Sequence, residues 1–254
     1  MKDKFQTRRN FIKRVSAAGM ASTAGWEVLF SAPEKKIKEP APKKGRIILF
    51  QGDSITDGNR TRNNDWNHIM GHGYAYLIAA KLGFEKPAEA FHFINRGVSG
   101  DTITDLTARW QTDTLDLKPD ILSILIGVND VDGNITGRFS RNVKDFNDQY
   151  RKLLALTKEK LPDVQLVIGA PFLLPVGRIK EKWQQYQDSM KEYQDIIAAI
   201  AGDFKAVYIP FQEEFNKALK LAPADYWIWD GIHPMPAGHE CMARKWISAT
   251  GLGN

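Results

Sequence analysis

The 254-residue sequence has little that would tie it to disulfide bonds or to a membrane. It contains a single cysteine, Cys241, so an intramolecular disulfide is excluded, and we expect this thiol to be a small buried side chain on the last helix. No run of 18 or more apolar residues occurs, so stable membrane insertion is not expected. The hydrophobic content of 43% nevertheless suffices for a single core.

A surplus of basic residues is also missing from most of the chain. The formal net charge is +5, but residues 1–44 hold 11 Lys and Arg against 4 Asp and Glu, which leaves 24 against 26 for residues 45–254. The basic surplus therefore belongs to the N-terminal segment. Composition gives no reason to expect a nucleic-acid partner.

The N-terminal segment has the residue order that is typical of an export signal. The pair Arg8-Arg9 is followed by a Phe, a Lys and a weakly apolar stretch, which predicts a twin-arginine-type signal over residues 1–32 and a periplasmic or secreted protein. A basic amphipathic tail is the alternative. Residues 33–44 are charged and Pro-rich, so we expect a linker there and a folded domain over 45–254.

Five short apolar runs, separated by helical patterns, predict the strands of a parallel sheet. Strands that are buried on both faces read as nearly continuous apolar sequence. The predicted strands cover residues 46–50, 91–95, 121–126, 164–169 and 206–210. Helices are predicted over residues 74–82, 142–160, 182–201, 213–221 and 237–248. This alternation favours one domain of the α/β class.

Residues able to carry chemistry follow the first three predicted strands. Ser54 comes after the first strand, the sequence Gly97-Val98-Ser99-Gly100 after the second, and Asn129 after the third. Ligand sites of open α/β sheets lie beyond the carboxyl ends of the strands, so we expect these positions to converge. The alternative for Ser54 is an ordinary turn residue, because Gly, Asp and Ser all favour turns.

An aspartate and a histidine near the end of the chain form a second candidate group. Asp230 and His233 are three residues apart, with a glycine between them and a proline after them. This spacing suits a carboxylate and an imidazole on one wall of a site. A serine hydroxyl is a weak nucleophile until a neighbouring base takes its proton, so the pair is a suitable partner for Ser54.

Four blocks of the sequence resemble the GDSL or SGNH hydrolase family in order and spacing, and the resemblance spans residues 47–249. The blocks are Gly52-Asp53-Ser54-Ile55-Thr56, Asn95-Arg96-Gly97-Val98-Ser99-Gly100, Gly127-Val128-Asn129-Asp130 and Asp230-Gly231-Ile232-His233-Pro234. The resemblance implies a flavodoxin-like, three-layer α/β/α sandwich with a five-stranded parallel sheet. It implies no cofactor and no metal.

The same resemblance assigns a role to each candidate residue. Ser54 would be the nucleophile, His233 the general base, and Asp230 the carboxylate that orients His233. The oxyanion hole would consist of the backbone N–H groups of Ser54 and Gly100 and the side-chain amide of Asn129.

The substrate is expected to be an acylated sugar. The opening Gln51–Asp57 with the later Gly73-Tyr74 is similar to bacterial acetylxylan-esterase-type carbohydrate esterases. This implies a serine esterase that hydrolyses acetyl or other short-chain esters of small molecules or oligosaccharides through an acyl-serine. The candidate substrate-binding residues are Asp53, Trp66, Trp227 and Trp229. For Asp53 a turn hydrogen bond is the alternative, and the tryptophans could equally belong to the core.

Other functions remain open from the sequence. A lysophospholipase or short-chain thioesterase would use the same residues, whereas a catalytically silent glycan-binding protein would not need the full set. Ser99 could be the nucleophile of an α/β-hydrolase, although Asp101 replaces the second glycine of that motif. His68 and His72 have the spacing of a helical metal site, but glycines interrupt the helix and the zinc-protease glutamate is missing. The oligomeric state is left open.

Overall fold

The computed structural model describes residues 45–63, 65 and 67–253. The predicted signal, the linker and Trp66 lie outside this part of the chain, so what the sequence suggests for them stays a prediction. Within the described residues, no helix combines the length and the apolar character needed to cross a bilayer.

A parallel sheet of five strands forms the centre of the fold. The strands are β1 (Ile47–Gly52), β2 (His92–Asn95), β3 (Ile121–Leu125), β4 (Gln165–Gly169) and β5 (Val207–Ile209). Their order in the sheet is β2-β1-β3-β4-β5, which confirms the predicted five-stranded parallel sheet. The chain leaves β1 for the strand on one side and returns to the other side at β3, so the topological switch point lies at β1 and β3.

The central strands are apolar because both of their faces are covered. All five residues of β3 are buried, and Ile48 of β1 is paired with Phe93 on one side and with Ile121 on the other. A parallel sheet needs crossover connections, and helices of this chain provide them on both faces. The result is the predicted three-layer sandwich.

Nine α-helices are present in the described residues. They are α1 (Ser54–Asp57), α2 (Tyr74–Glu85), α3 (Ile103–Ala108), α4 (Val128–Thr136), α5 (Val143–Lys160), α6 (Trp183–Asp203), α7 (Phe211–Ala218), α8 (Ala224–Trp227) and α9 (Pro236–Thr250). α9 packs against α2 and α7, while α5 packs against α3 and α6. Side chains tie the layers to the sheet, as where Trp246 Nε1 donates to Ser123 Oγ at 2.9 Å.

Some local expectations were wrong. Helix α2 continues through Gly83 and ends at Glu85, just before Pro87, because a glycine inside a helix costs only about 1 kcal/mol whereas a proline cannot continue it. Helix α4 was not predicted, since its polar residues and Gly133 lower its helix propensity. Gly133 is needed because the Phe139 ring packs against it.

Ser54 starts a short helix rather than standing in a turn. Cys241 is only half-buried.

Candidate active site

Ser54 stands at the carboxyl end of β1 as the first residue of α1. The helix starts there because Asp53 caps it, with Oδ1 accepting from the Ile55 N–H at 3.0 Å. As a first-turn residue, Ser54 has a backbone N–H without an intrahelical acceptor. No atom of the described chain accepts a hydrogen bond from that N–H, so it is available to a ligand.

Ser54, His233 and Asp230 form one chain of hydrogen bonds. Ser54 Oγ lies 2.8 Å from His233 Nε2, although the two residues are 179 positions apart in the sequence. His233 Nδ1 lies 2.8 Å from Asp230 Oδ2. Asp230 Oδ1 accepts from the backbone N–H groups of Ile232 at 2.9 Å and His233 at 2.7 Å. The Asp230 carboxylate thus holds the backbone of residues 232 and 233 through Oδ1 and the His233 imidazole through Oδ2.

The electrostatics of Asp230 favour its charged form. Burial would raise its pKa, but the side-chain hydrogen bond to His233 and the N–H groups of His233 and Ile232 outweigh burial and lower the pKa to about 2. Arg178 Nε also lies 3.7 Å from Asp230 Oδ2. An ionised Asp230 accepts a hydrogen bond from the Nδ1–H group of His233, which leaves Nε2 as the acceptor that faces Ser54.

The three predicted oxyanion donors follow the neighbouring strands β1, β2 and β3. The Val98 N–H donates to Gly52 O at 3.0 Å, which aligns the loop after β2 with the start of α1. Gly100 has φ +91, and its N–H has no acceptor in the described chain. Asn129 Nδ2 donates to Asp101 O at 3.0 Å, beside Gly100. Ser54, Gly100 and Asn129 are therefore brought together at the switch point of the sheet.

Arg109, which the sequence did not single out, connects these loops. Its guanidinium donates to Asp101 Oδ2 at 2.7 Å, to Arg96 O at 2.7 Å and to Gly52 O at 3.2 Å. It also donates to Gln51 Oε1 at 2.9 Å. Gln51, a fully buried polar residue in an apolar strand, was the sequence signal that could have revealed this network.

Arg178 is the second residue that the sequence did not indicate. It lies in the 3₁₀ segment Gly177–Lys182 and donates to Asp132 Oδ1 at 2.7 Å while facing Asp230. The preceding Gly177 has φ +58, and a Cβ there would lie 2.4 Å from Asp230 Cα. Glycine is therefore required for this segment to approach Asp230 so closely.

The sequence offered two roles for Asp53, a contact with substrate and a local hydrogen bond, and the structure shows the second. Asp53 is 1% exposed, and its Oδ2 has no hydrogen-bond partner among the described residues. Burial raises its pKa to about 7. Its Oδ1 accepts from the Ile55 N–H and caps α1, and its burial favours this structural role.

The predicted tryptophans differ in exposure. Trp227 is half-buried, and its Nε1 donates to Ala222 O at 3.2 Å. Trp229 is 61% exposed, and its ring lies at 26° to the His233 ring with 6.5 Å between centroids. Only the second of these two offers a broad aromatic face next to the histidine.

The two other sites considered from the sequence, a nucleophile at Ser99 and a metal site at His68 and His72, are not formed by the described residues. Ser99 Oγ donates to Asp57 Oδ2 at 2.9 Å, so its partner is a carboxylate. His68 Nδ1 lies 2.6 Å from Asp65 Oδ2. Within the described residues, no three His, Cys, Asp or Glu side chains are grouped as a metal site would need.

Replacing Asp53 by Asn should stabilise the protein more at pH 8 than at pH 5. The pKa of Asp53 rises from 3.8 in the unfolded chain to about 7, so the folded state holds the proton more tightly and loses stability as pH rises between these values. Asn keeps the Oδ1 cap and carries no charge. The gain should grow by on the order of 2–3 kcal/mol between the two pH values, measured by urea unfolding.

Asp57→Asn is the matched control for this measurement. Burial would raise the pKa of Asp57, but hydrogen bonds from Arg62 and Ser99 outweigh it and lower the pKa, so Asp57 stays ionised from pH 5 to 8. Its effect on stability should be the same at both pH values. An Asp53→Asn effect that is equally independent of pH would show that Asp53 is not a buried, protonated acid at pH 5.

Comparison with known proteins identifies the family. Residues 50–241 match the model of the GDSL-like Lipase/Acylhydrolase family. The chain is a member of this GDSL (SGNH) hydrolase family. The match includes Ser54, Gly100, Asn129, Asp230 and His233, and the chain is accordingly a carboxylic ester hydrolase.

Relatives of this GDSL hydrolase agree in sequence and in fold. An acetylxylan esterase of Geobacillus stearothermophilus is 32% identical over 212 residues, which cover 82% of this chain and 95% of the relative. The solved structure of acetylxylan esterase Axe2 from the same species has a TM-score of 0.73 at 29% identity, over 83% of this chain and 96% of that one. A GDSL-like protein of Parabacteroides merdae has a TM-score of 0.79 at 39% identity, over 84% and 100%.

Proposed function

We propose that this GDSL hydrolase removes acetyl groups from carbohydrates through an acetyl-serine intermediate on Ser54. The observation that carries the proposal is the 32% identity to an acetylxylan esterase, which extends over 95% of that relative. The hydrogen-bonded chain of Ser54, His233 and Asp230 lies within the matched region and supplies the chemistry for ester cleavage.

In the proposed reaction Ser54 Oγ attacks the carbonyl carbon of the acetyl ester, and His233 Nε2 takes the hydroxyl proton. Ionised Asp230 stabilises the imidazolium that forms. The N–H groups of Ser54 and Gly100 and the Asn129 amide donate to the oxyanion, and removing one such donor typically costs a factor of about 10²–10³.

The intermediate then collapses, and the proton on His233 passes to the sugar oxygen as that oxygen leaves. This leaves the acetyl group bonded to Ser54. A water molecule, deprotonated by His233, attacks the acetyl carbonyl in the second half of the reaction. Acetate departs, and Ser54 Oγ regains its proton from His233.

The aromatic face beside His233 supports a sugar as the alcohol part of the ester. Trp229 and Tyr226 are 61% and 56% exposed, although large aromatic side chains are usually buried. A sugar ring has flat C–H faces that pack on such rings, together with hydroxyl groups that remain in water. A ring held on Trp229 would present its acetyl group at Ser54.

Trp229→Ala should affect carbohydrate substrates selectively. We expect KM for acetylated xylo-oligosaccharide to rise about 3–10-fold, because an aromatic contact of this kind is worth about 0.5–1.5 kcal/mol. Turnover of p-nitrophenyl acetate should change by less than about two-fold, since that ester does not need the ring. Phe84→Ala, which removes an exposed ring on α2, is the matched control and should change neither value.

The same assays distinguish the other functions when p-nitrophenyl octanoate, a lysophospholipid and an acyl thioester are added to the panel. We expect the acetylated oligosaccharide to have the highest kcat/KM. A preference for the lysophospholipid, the thioester or octanoate would overturn the deacetylase proposal. Binding of the oligosaccharide without any hydrolysis would favour the glycan-binding alternative.

A further inference from the structure

A cavity of about 570 Å³ lies beside β2, which is an edge strand of the sheet. One wall is the loop from Arg60 to Asn63, and the other consists of β2 residues and Arg96 just beyond them. Three arginines, Arg60, Arg62 and Arg96, line this cavity, which we call the arginine pocket.

The positive charge of the arginine pocket is only partly compensated. Arg62 pairs with Asp57, with distances of 3.1 Å to Oδ1 and 2.7 Å to Oδ2. Arg60 Nε donates to the backbone oxygen of Gly97 at 3.0 Å. Among the described residues, no carboxylate lies within ion-pair distance of Arg60 or Arg96. Asp113, the other acid that acts on Arg60, is paired with Arg109 at 3.1 Å.

Two buried polar atoms of the pocket lack partners. Arg96 Nε and Thr61 Oγ1 have no hydrogen-bond partner in the described chain, and leaving such groups unpaired costs about 1–3 kcal/mol each. Arg60 is itself only 9% exposed. Burial, together with the positive charges of Arg62 and Arg96, lowers the pKa of Arg60 to about 10. An anion in the pocket would relieve this repulsion and supply the missing acceptor.

The arginine pocket is connected to the candidate active site through Asp57. Asp57 ends the helix that Ser54 begins, so the two residues lie one helical turn apart. Asp57 Oδ2 also accepts from the Ser99 N–H at 3.0 Å, next to Gly100. The Arg62 side chain is half-exposed. Asp57 therefore contacts both Arg62 of the pocket and the loop that carries Gly100.

We propose that the arginine pocket binds the carboxylate of an acidic sugar unit carried by the acetylated oligosaccharide. The planar guanidinium offers paired N–H donors that match the two oxygens of a carboxylate, which makes arginine the side chain of choice for this group. The inference rests on the proposed function, because it takes an oligosaccharide as the substrate. Free phosphate has the same anionic chemistry and is distinguished by the test.

The test compares two xylo-oligosaccharides, one with a glucuronate branch and one without, for binding to the full-length Ser54→Ala protein by calorimetry. We expect the acidic ligand to bind at least about ten-fold more tightly. Arg96→Met, added to this protein, should abolish the difference, and Arg62→Met should reduce it if the first variant does not fold. Arg244→Met, which removes an exposed arginine on α9, should leave the difference intact.

Inorganic phosphate is titrated as the competing anion. Equal binding of the two oligosaccharides would overturn the proposal, and phosphate binding that depends on Arg96 would then identify a free-anion site instead. Loss of the preference in Arg244→Met as well would indicate general attraction by surface charge and would also overturn it. Because the two oligosaccharides are used without acetyl groups, no ester can be cleaved, and the result is independent of whether Ser54 is the nucleophile.

Discussion

Ser54→Ala should lower kcat/KM for acetylated xylo-oligosaccharide by a factor on the order of 10⁴–10⁶. Ser54 Oγ is the atom that His233 Nε2 contacts at 2.8 Å, and alanine leaves the histidine with no hydroxyl to deprotonate. Ser54 is only half-buried, and the cap that starts α1 comes from Asp53, so the fold should be unaffected. Steady-state kinetics and thermal unfolding of the two proteins check both expectations.

Ser99→Ala is the control, because Ser99 is the rival nucleophile of the sequence analysis. Its hydroxyl donates to Asp57 rather than to a histidine. A hydrogen bond to a charged group is worth about 1.5–3 kcal/mol, so we expect its loss to lower activity by no more than about 10–150-fold. Full activity in Ser54→Ala together with inactivity in Ser99→Ala would overturn the proposed mechanism.

The second large effect is expected from Asp230→Asn. At pH 7 kcat should fall about 10⁴-fold, while KM changes little. Asn can turn its amide N–H toward His233 Nδ1, which favours the tautomer with a proton on Nε2. That nitrogen could then no longer accept the proton of Ser54. The ionised form of Asp230, with its pKa of about 2, prevents this in the parent protein.

Asp225→Asn provides the comparison for this variant. Asp225 is an exposed acid in α8, five residues before Asp230, and its loss should leave kcat unchanged. If Asp230→Asn kept more than about a tenth of the parent kcat, orientation of His233 by the carboxylate would not be needed for the reaction.

The fold could be predicted because its strands are short and buried on both faces. The short apolar runs in the sequence predict β1 and β3 directly. The helical patterns between the runs predict that the strands are parallel. The same logic placed Ser54, Gly100 and Asn129 at one edge of that sheet. Asp230 and His233 were readable because they are close in sequence.

The supporting residues could not be predicted because their contacts join distant parts of the chain. Arg109 meets Gln51 across 58 positions, and Arg178 meets Asp132 across 46. A single sequence contains no pattern that distinguishes a buried arginine with several hydrogen-bond partners from an arginine exposed to solvent. The burial of Asp53 could not be predicted for a related reason, since it depends on the elements that cover the end of β1 in the folded chain.

The most direct test of the account is to locate the acetyl group during turnover. The full-length protein is mixed with acetylated xylo-oligosaccharide, quenched with acid within the first turnovers and digested, and the peptides are analysed by mass spectrometry. The account predicts an acetyl increment on the peptide that contains Ser54, and its absence from Ser54→Ala. Acetylation of a different peptide, or rapid hydrolysis by Ser54→Ala, would contradict it.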